Sequence, residues 1–207
     1  MGTSFLTLGV IMLLGAMLPG ADFAIVTKNS LLHSRKAGLF TALGIGTAIW
    51  IHMTYCILGV AVILQKSPWI FHAIQYIGAL YLTYLGIMLL KPHTIQNIDA
   101  ATETMPTTSL SNVQAFRQGF ICNLLNPKAT LFFLTIFSTV TTTQTPLLLN
   151  LAYAFEVFFT AMLWFCSLAY LISHKVVTTW LNKSTRLIEK ILGIILLGLA
   201  VFVVLWG

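Results

Sequence analysis

The sequence predicts an all-α membrane protein: six transmembrane helices, arranged as two inverted-topology three-helix repeats, with broken helices in spans one and four. Three observations carry that prediction. Of 207 residues, 58% are hydrophobic and only 8% are charged, against about 25% charged in a soluble domain. So few charges cannot solvate a globule of this size, and disorder is excluded by the same composition. Six apolar stretches have spanning length, about 20 residues for a hydrocarbon core of about 30 Å. The first and fourth stretches each carry an internal proline beside a charged residue: Pro19-Gly20-Ala21-Asp22 and Asn126-Pro127-Lys128.

The spans run from about Ser4 to Thr27, Ala37 to Leu64, Pro68 to Leu90, Phe116 to Val140, Leu147 to Ile172 and Leu187 to Trp206. The first twenty residues lack the positive start of a signal peptide, and their apolar run continues to Lys28, so they read as a membrane span. Leu6 stands where a myristoylation signal has Ser or Thr. Pro68 opens the third span at a position where its missing N–H costs nothing. The segment Lys91 to Ala115 is polar and rich in Thr and Ser. It reads as a cytoplasmic linker between a first half, residues 1–90, and a second half, residues 116–207. The whole chain is one transmembrane domain.

Basic residues fix the orientation. Lys28, Arg35, Lys36, Lys91, Arg117, Lys175, Lys183, Arg186 and Lys190 flank the first, third and fifth connections, whereas the opposite side holds only Lys66. This places the odd connections in the cytoplasm and both termini outside. Trp69 and Trp206 then fall at the outer interface, which indole rings favour. The net charge of +6 reports topology, and no basic cluster is dense enough to follow a nucleic-acid backbone. The two halves, of three spans each, have opposite orientations if they are homologous, which is the plan of inverted-repeat transporters.

A charge inside a span costs about 2.5–3.5 kcal/mol even on a lenient scale. Asp22, Lys128 and Glu156 are the three that stand there. A buried ion pair kept for packing is the competing reading, but such pairs seldom outperform apolar packing. A functional site is the better explanation. Each proline interrupts a helix, and the half-helix after it begins with free N–H groups and a partial positive charge that suit a carboxylate. Pro19, Gly20, Asp22, Asn126, Pro127 and Lys128 are therefore the expected substrate-binding residues, and Asp22, Glu156 and His52 the expected proton-coupling groups. For His52 alone, a hydrogen-bonded core role is the rival reading. Gly38, Ala42 and Gly46 recur at spacing four, with Gly44 and Ala48 offset, and read as a close-packing face.

Enzyme motifs of the HExxH, GxSxG and GxGxxG kinds are absent. Cys56, Cys122 and Cys166 stand alone in apolar runs and read as packing residues. No metal or cofactor is implied.

Four segments resemble the LysE/RhtB family of bacterial amino-acid exporters. They are Leu18-Pro19-Gly20-Ala21-Asp22-Phe23; Ser34-Arg35-Lys36-Ala37-Gly38 with Ala42-Leu43-Gly44-Ile45; Gly78-Ala79-Leu80-Tyr81-Leu82-Thr83-Tyr84-Leu85-Gly86; and Phe116-Arg117-Gln118-Gly119-Phe120 through Asn123-Leu124-Leu125-Asn126-Pro127-Lys128-Ala129, with Phe132-Phe133 following. The last is the most specific. Ala21 departs from the family, which usually has a second proline there, and Gly46 sits off its glycine spacing. The resemblance implies export of a zwitterionic amino acid, threonine- or homoserine-like, from a bacterial cytoplasm through the inner membrane in exchange for protons. Glu156 looks like the position used by the threonine-exporting branch. The expected partners are that amino acid, protons and the lipid bilayer, with no nucleic acid, and a homo-oligomer is compatible with the sequence. A channel without proton coupling is the alternative function.

Overall fold

Every apolar stretch forms helix, and the two prolines in mid-span decide where helix stops. The structure is a computed structural model that describes residues 2–66, 68–91, 110–142, 144–172 and 175–206. The described residues form eight helices: α1 Gly2–Met17, α2 Ala21–Leu32, α3 Arg35–Lys66, α4 Pro68–Leu90, α5 Asn112–Leu124, α6 Pro127–Val140, α7 Leu147–Leu171 and α8 Lys175–Trp206. Most of the expected linker, residues 92–109, lies outside the described residues, as does the side chain of Trp206.

Four unbroken helices are long and apolar enough to cross a membrane: α3, α4, α7 and α8. Two bent pairs supply the rest. α1 and α2 meet at 61°, and α5 and α6 at 59°. With each bent pair as one span the total is six, and spans one and four are the broken ones, as expected. Ala21 in place of a second proline does not soften the first break. Pro19 and the extended backbone of Gly20 suffice to end one helix and begin the next.

Helix ends extend past the apolar runs. α5 starts at Asn112, four residues before the expected Phe116, because Ser111 and Gln114 form a reciprocal capping box. α8 starts at Lys175, twelve residues before Leu187. A helix needs no apolar sequence to form, so hydropathy locates the membrane and not the helix end. At the other end of this region, Arg186 donates from Nη1 to the Leu89 carbonyl at 3.1 Å and from Nη2 to the Leu90 carbonyl at 2.9 Å. It thereby satisfies the unpaired carbonyls at the end of α4 and complements that helix's negative pole. Glu189 pairs with the same guanidinium at 3.4 Å.

The core forms where α3 is wrapped by α2, α5 and α7, while α4 packs on α8 and α1 on α7. Glycine sets the closest approaches. A Cβ on Gly44 would collide with the Phe116 carbonyl of α5, and one on Gly119 with the Thr41 carbonyl of α3. The two helices therefore cross with backbone against backbone, which only the missing side chains permit. Gly38 meets Ser30 of α2, and Gly46 meets Met162 and Phe158 of α7. The small residues of α3 thus serve three neighbours rather than one face. Buried amides join the same elements: Asn29 of α2 donates to Thr41 Oγ1 at 2.8 Å and to Gln118 Oε1 of α5 at 2.9 Å. On the outside, Leu80, Leu148 and Ile194 are exposed, as suits a chain whose solvent there is hydrocarbon.

Two alanine substitutions separate packing from propensity. Ala for Gly in a helix stabilises by about 0.5–1 kcal/mol where space allows. Gly59 has open space around it, so Gly59→Ala should hold or raise the melting temperature in detergent. Gly44→Ala should lower it, since overpacking costs about 1–3 kcal/mol. Differential scanning fluorimetry of the two variants reads both signs.

Candidate functional site

The two helix breaks face one another. Between them lies a cleft whose lining includes Gly20, Ala21 and Asp22 from the first break and Asn123, Asn126 and Lys128 from the second. Met12 and Gly15 of α1, Ile49 of α3, Phe132 and Phe133 of α6, and Ala161 and Phe165 of α7 close it with apolar surface.

Asp22 sits in the first turn of α2, where the helix dipole favours an anion. α2 has no side-chain cap: Gly20 precedes it and supplies none. The Asp22 carboxylate instead reaches across to the second break. Its Oδ2 accepts from Asn123 Nδ2 at 3.0 Å and from Asn126 Nδ2 at 3.3 Å, with the Cys122 thiol beside it. Asn126 also N-caps α6: its Oδ1 accepts from the Lys128 N–H at 3.0 Å, ahead of Pro127 at the first helical position. One side chain thus caps one half-helix and holds the acid of the other.

Asp22 and Lys128 do not form a direct ion pair among the described residues. The ammonium lies toward Gly20, where a Cβ would stand only 3.1 Å from Nζ. Gly20 is in extended backbone that any residue adopts; what glycine provides there is room for the lysine. Asp22 Oδ1 and Asn123 Oδ1 are buried and accept no hydrogen bond. Each such atom calls for an explanation, and these two, unlike those of Thr27, Asn29, Arg35 and Trp164, belong to residues that line the cleft. Asp22 and Asn123, each with a buried oxygen that has no hydrogen-bond partner, and Lys128 line the same cleft.

Gly20, Asp22, Asn126 and Lys128 are brought together as the sequence suggested. Pro19 and Pro127 do not line the cleft, and act by breaking the helices beside it. Glu156 stands elsewhere. It packs on α1, where a Cβ on Gly9 would lie 2.8 Å from its Oε1. Along α7 it is five residues from Ala161, about 7 Å at ~1.5 Å per residue. Its Oε2 is buried and unpaired. His52 lies behind the cleft wall, 1% exposed and packed on Phe133 with ring centroids 5.2 Å apart. Its Nε2–H donates to the Asn123 carbonyl at 3.2 Å, and its Nδ1 bonds the Tyr55 hydroxyl. A neutral ring is fully satisfied by these two partners, and it holds Asn123, which in turn holds Asp22.

Asn123 was not singled out from sequence, because an asparagine within an apolar helix carries no charge penalty to draw attention. Its place three residues before Asn126 was the available signal.

This fold and cleft define a membrane transporter. The chain matches the model of the family described as LysE type translocator over residues 13–207. It is 32% identical to the uncharacterized membrane protein YrhP of Bacillus subtilis, covering 89% of this chain and 90% of the relative. It is 31% identical to a leucine efflux protein of Salmonella choleraesuis, covering 89% and 86%. It is 30% identical to the threonine efflux protein of Escherichia coli, covering 65% of each chain. No solved structure matches. The chain belongs to the LysE type translocator family. That family consists of membrane transporters, and the protein is one of them rather than an enzyme.

Two substitutions at Asn126 divide its roles. Asn126→Ala removes the cap and should cost about 1 kcal/mol, read as a lower melting temperature. Asn126→Ser keeps a capping oxygen and should recover that stability, yet still lose transport because serine does not present the amide to Asp22.

Proposed function

We propose that the protein exports a small zwitterionic amino acid from a bacterial cytoplasm across the inner membrane, in exchange for protons. The observation that carries this reading is that Asp22 and Asn123, each with a buried oxygen that has no hydrogen-bond partner, line one cleft together with Lys128. An α-ammonium donates to the two oxygens. An α-carboxylate pairs with Lys128. Threonine- or homoserine-like cargo, implied by the sequence resemblance, is one end of the neutral range, and leucine, in the name of another relative, is the other.

With a zwitterion bound, the ionised Asp22 and Lys128 balance each other, and the loaded cleft is neutral. A neutral assembly crosses a low-dielectric barrier far more easily than a charged one. Glu156 is the other acid that the sequence singles out within a span. Standing apart from the cleft, it suits a proton carrier that does not compete with the cargo. His52 supports the site by holding Asn123. Entry of one proton down 100 mV supplies about 2.3 kcal/mol, and a tenfold solute gradient requires about 1.4 kcal/mol. Alternating access would come from rocking residues 1–90 against 116–207 as inverted repeats. Support for the repeat is that each half opens with its bent span. The excess of Lys and Arg in the odd connections favours both termini outside.

Inside-out membrane vesicles test this reading. Acidifying their interior should drive uptake of labelled threonine, homoserine or leucine, with lysine the charged control. Asp22→Asn and Lys128→Ala should each reduce that uptake to background while the protein still inserts. Near wild-type uptake in both variants, or indifference to the pH gradient, would contradict the assigned roles. In the same vesicles an epitope added at Gly207 should be shielded from protease.

A further inference from the structure

The chemistry of the cleft wall says what side chain the cargo carries. Of the residues that line the cleft, only Asp22, Asn123, Asn126 and Lys128 have polar side chains. The α-ammonium and α-carboxylate of an amino acid occupy the groups these four leave unpaired, and Asn126 Oδ1 is already committed to the α6 cap. Beyond that polar end the wall is apolar, with Met12, Ile49 and the rings of Phe23, Phe132, Phe133 and Phe165 among its side chains and glycine and alanine between them. No side chain there donates to or accepts from a side-chain hydroxyl. A hydroxyl placed against this wall would lose its water without finding a partner, and a charged side chain would fare worse.

Resting on the amino-acid transport reading, we infer that the cleft selects amino acids with medium-sized apolar side chains, leucine and methionine above threonine and homoserine, and that Phe132 sets the size limit. The gauge is visible in the packing. The Phe132 ring lies on Gly15 so closely that a Cβ at Gly15 would overlap it, with Cε2 at 3.0 Å and two further ring atoms nearer. Phe132 is 6% exposed and its ring meets Phe133 at a centroid distance of 6.2 Å. The same ring lines the cleft, so a side chain added at Gly15 would press on the cleft wall. An apolar pocket discriminates an added hydroxyl by about a hundredfold at best, so the preference over threonine should be about ten- to a hundredfold.

The test is counterflow in proteoliposomes holding the purified full-length protein, with labelled L-leucine and labelled L-threonine run in parallel and unlabelled amino acids as competitors. Methionine and leucine should compete at concentrations about ten- to a hundredfold lower than threonine or homoserine, and lysine and glutamate should not compete. Gly15→Ala should shift the order toward valine and alanine. Phe132→Leu, which keeps an apolar side chain against Gly15 and so preserves the fold, should shift it toward phenylalanine. Threonine or homoserine competing as well as leucine overturns the inference while the transport reading stands. An unchanged order in Phe132→Leu overturns the role of Phe132. No counterflow of any amino acid overturns the transport reading and this inference with it.

Discussion

A helix that stops inside hydrocarbon strands its terminal N–H and C=O groups, and lipid offers them nothing. This constraint is met twice in one place. The break at Gly20 leaves α2 without a side-chain cap, and its first turn carries Asp22. The break at Asn126 begins α6 with a cap made by Asn126 itself. Asn126 and Asn123 then donate to Asp22. A hydrogen bond to a charged group contributes about 1.5–3 kcal/mol, and here two of them tie one broken span to the other. Without the carboxylate, the amides of the second break lose their acceptor. Without the amides, the carboxylate stands buried beside a lysine it does not touch.

Close packing around α3 makes that meeting possible. The backbone contacts at Gly44 and Gly119 draw α5 against α3. The Asn29 amide draws α2 to both of them. These are the two half-helices that end or begin at the breaks, so their position fixes the separation between Asp22 and Asn123. Gly20 and Gly15 act at shorter range, by leaving room for Lys128 and for the Phe132 ring. Small residues serve here to place large and polar ones.

The parts legible in the sequence are those with a large energetic signature. Spanning length, the two prolines and the charges at Asp22 and Lys128 each violate or satisfy a membrane rule by several kcal/mol, and each was readable. Neutral amides were not. Asn29, Thr41, Gln118 and Asn123 carry much of the polar wiring, yet an amide in a helix looks the same whether it faces a partner or a headgroup. Glu156 shows the other limit. Its depth follows from counting residues, but the face of α7 it occupies depends on how α1 packs, and that places it against Gly9 rather than in the cleft. Hydropathy located the spans but not the starts of α5 and α8, because capping and propensity govern helix ends. The S-x-x-Q pattern at Ser111 was in plain view for the first of these.

The account stands on an amino acid seated between the two breaks. A cryo-electron-microscopy structure of the protein in lipid nanodiscs with saturating L-leucine measures this directly. The account predicts the ligand's ammonium within hydrogen-bond distance of Asp22 and Asn123, its carboxylate at Lys128, and its side chain against Phe132, with both spans still bent. A ligand seated outside the cleft, or spans one and four running straight through Gly20 and Asn126, would contradict it.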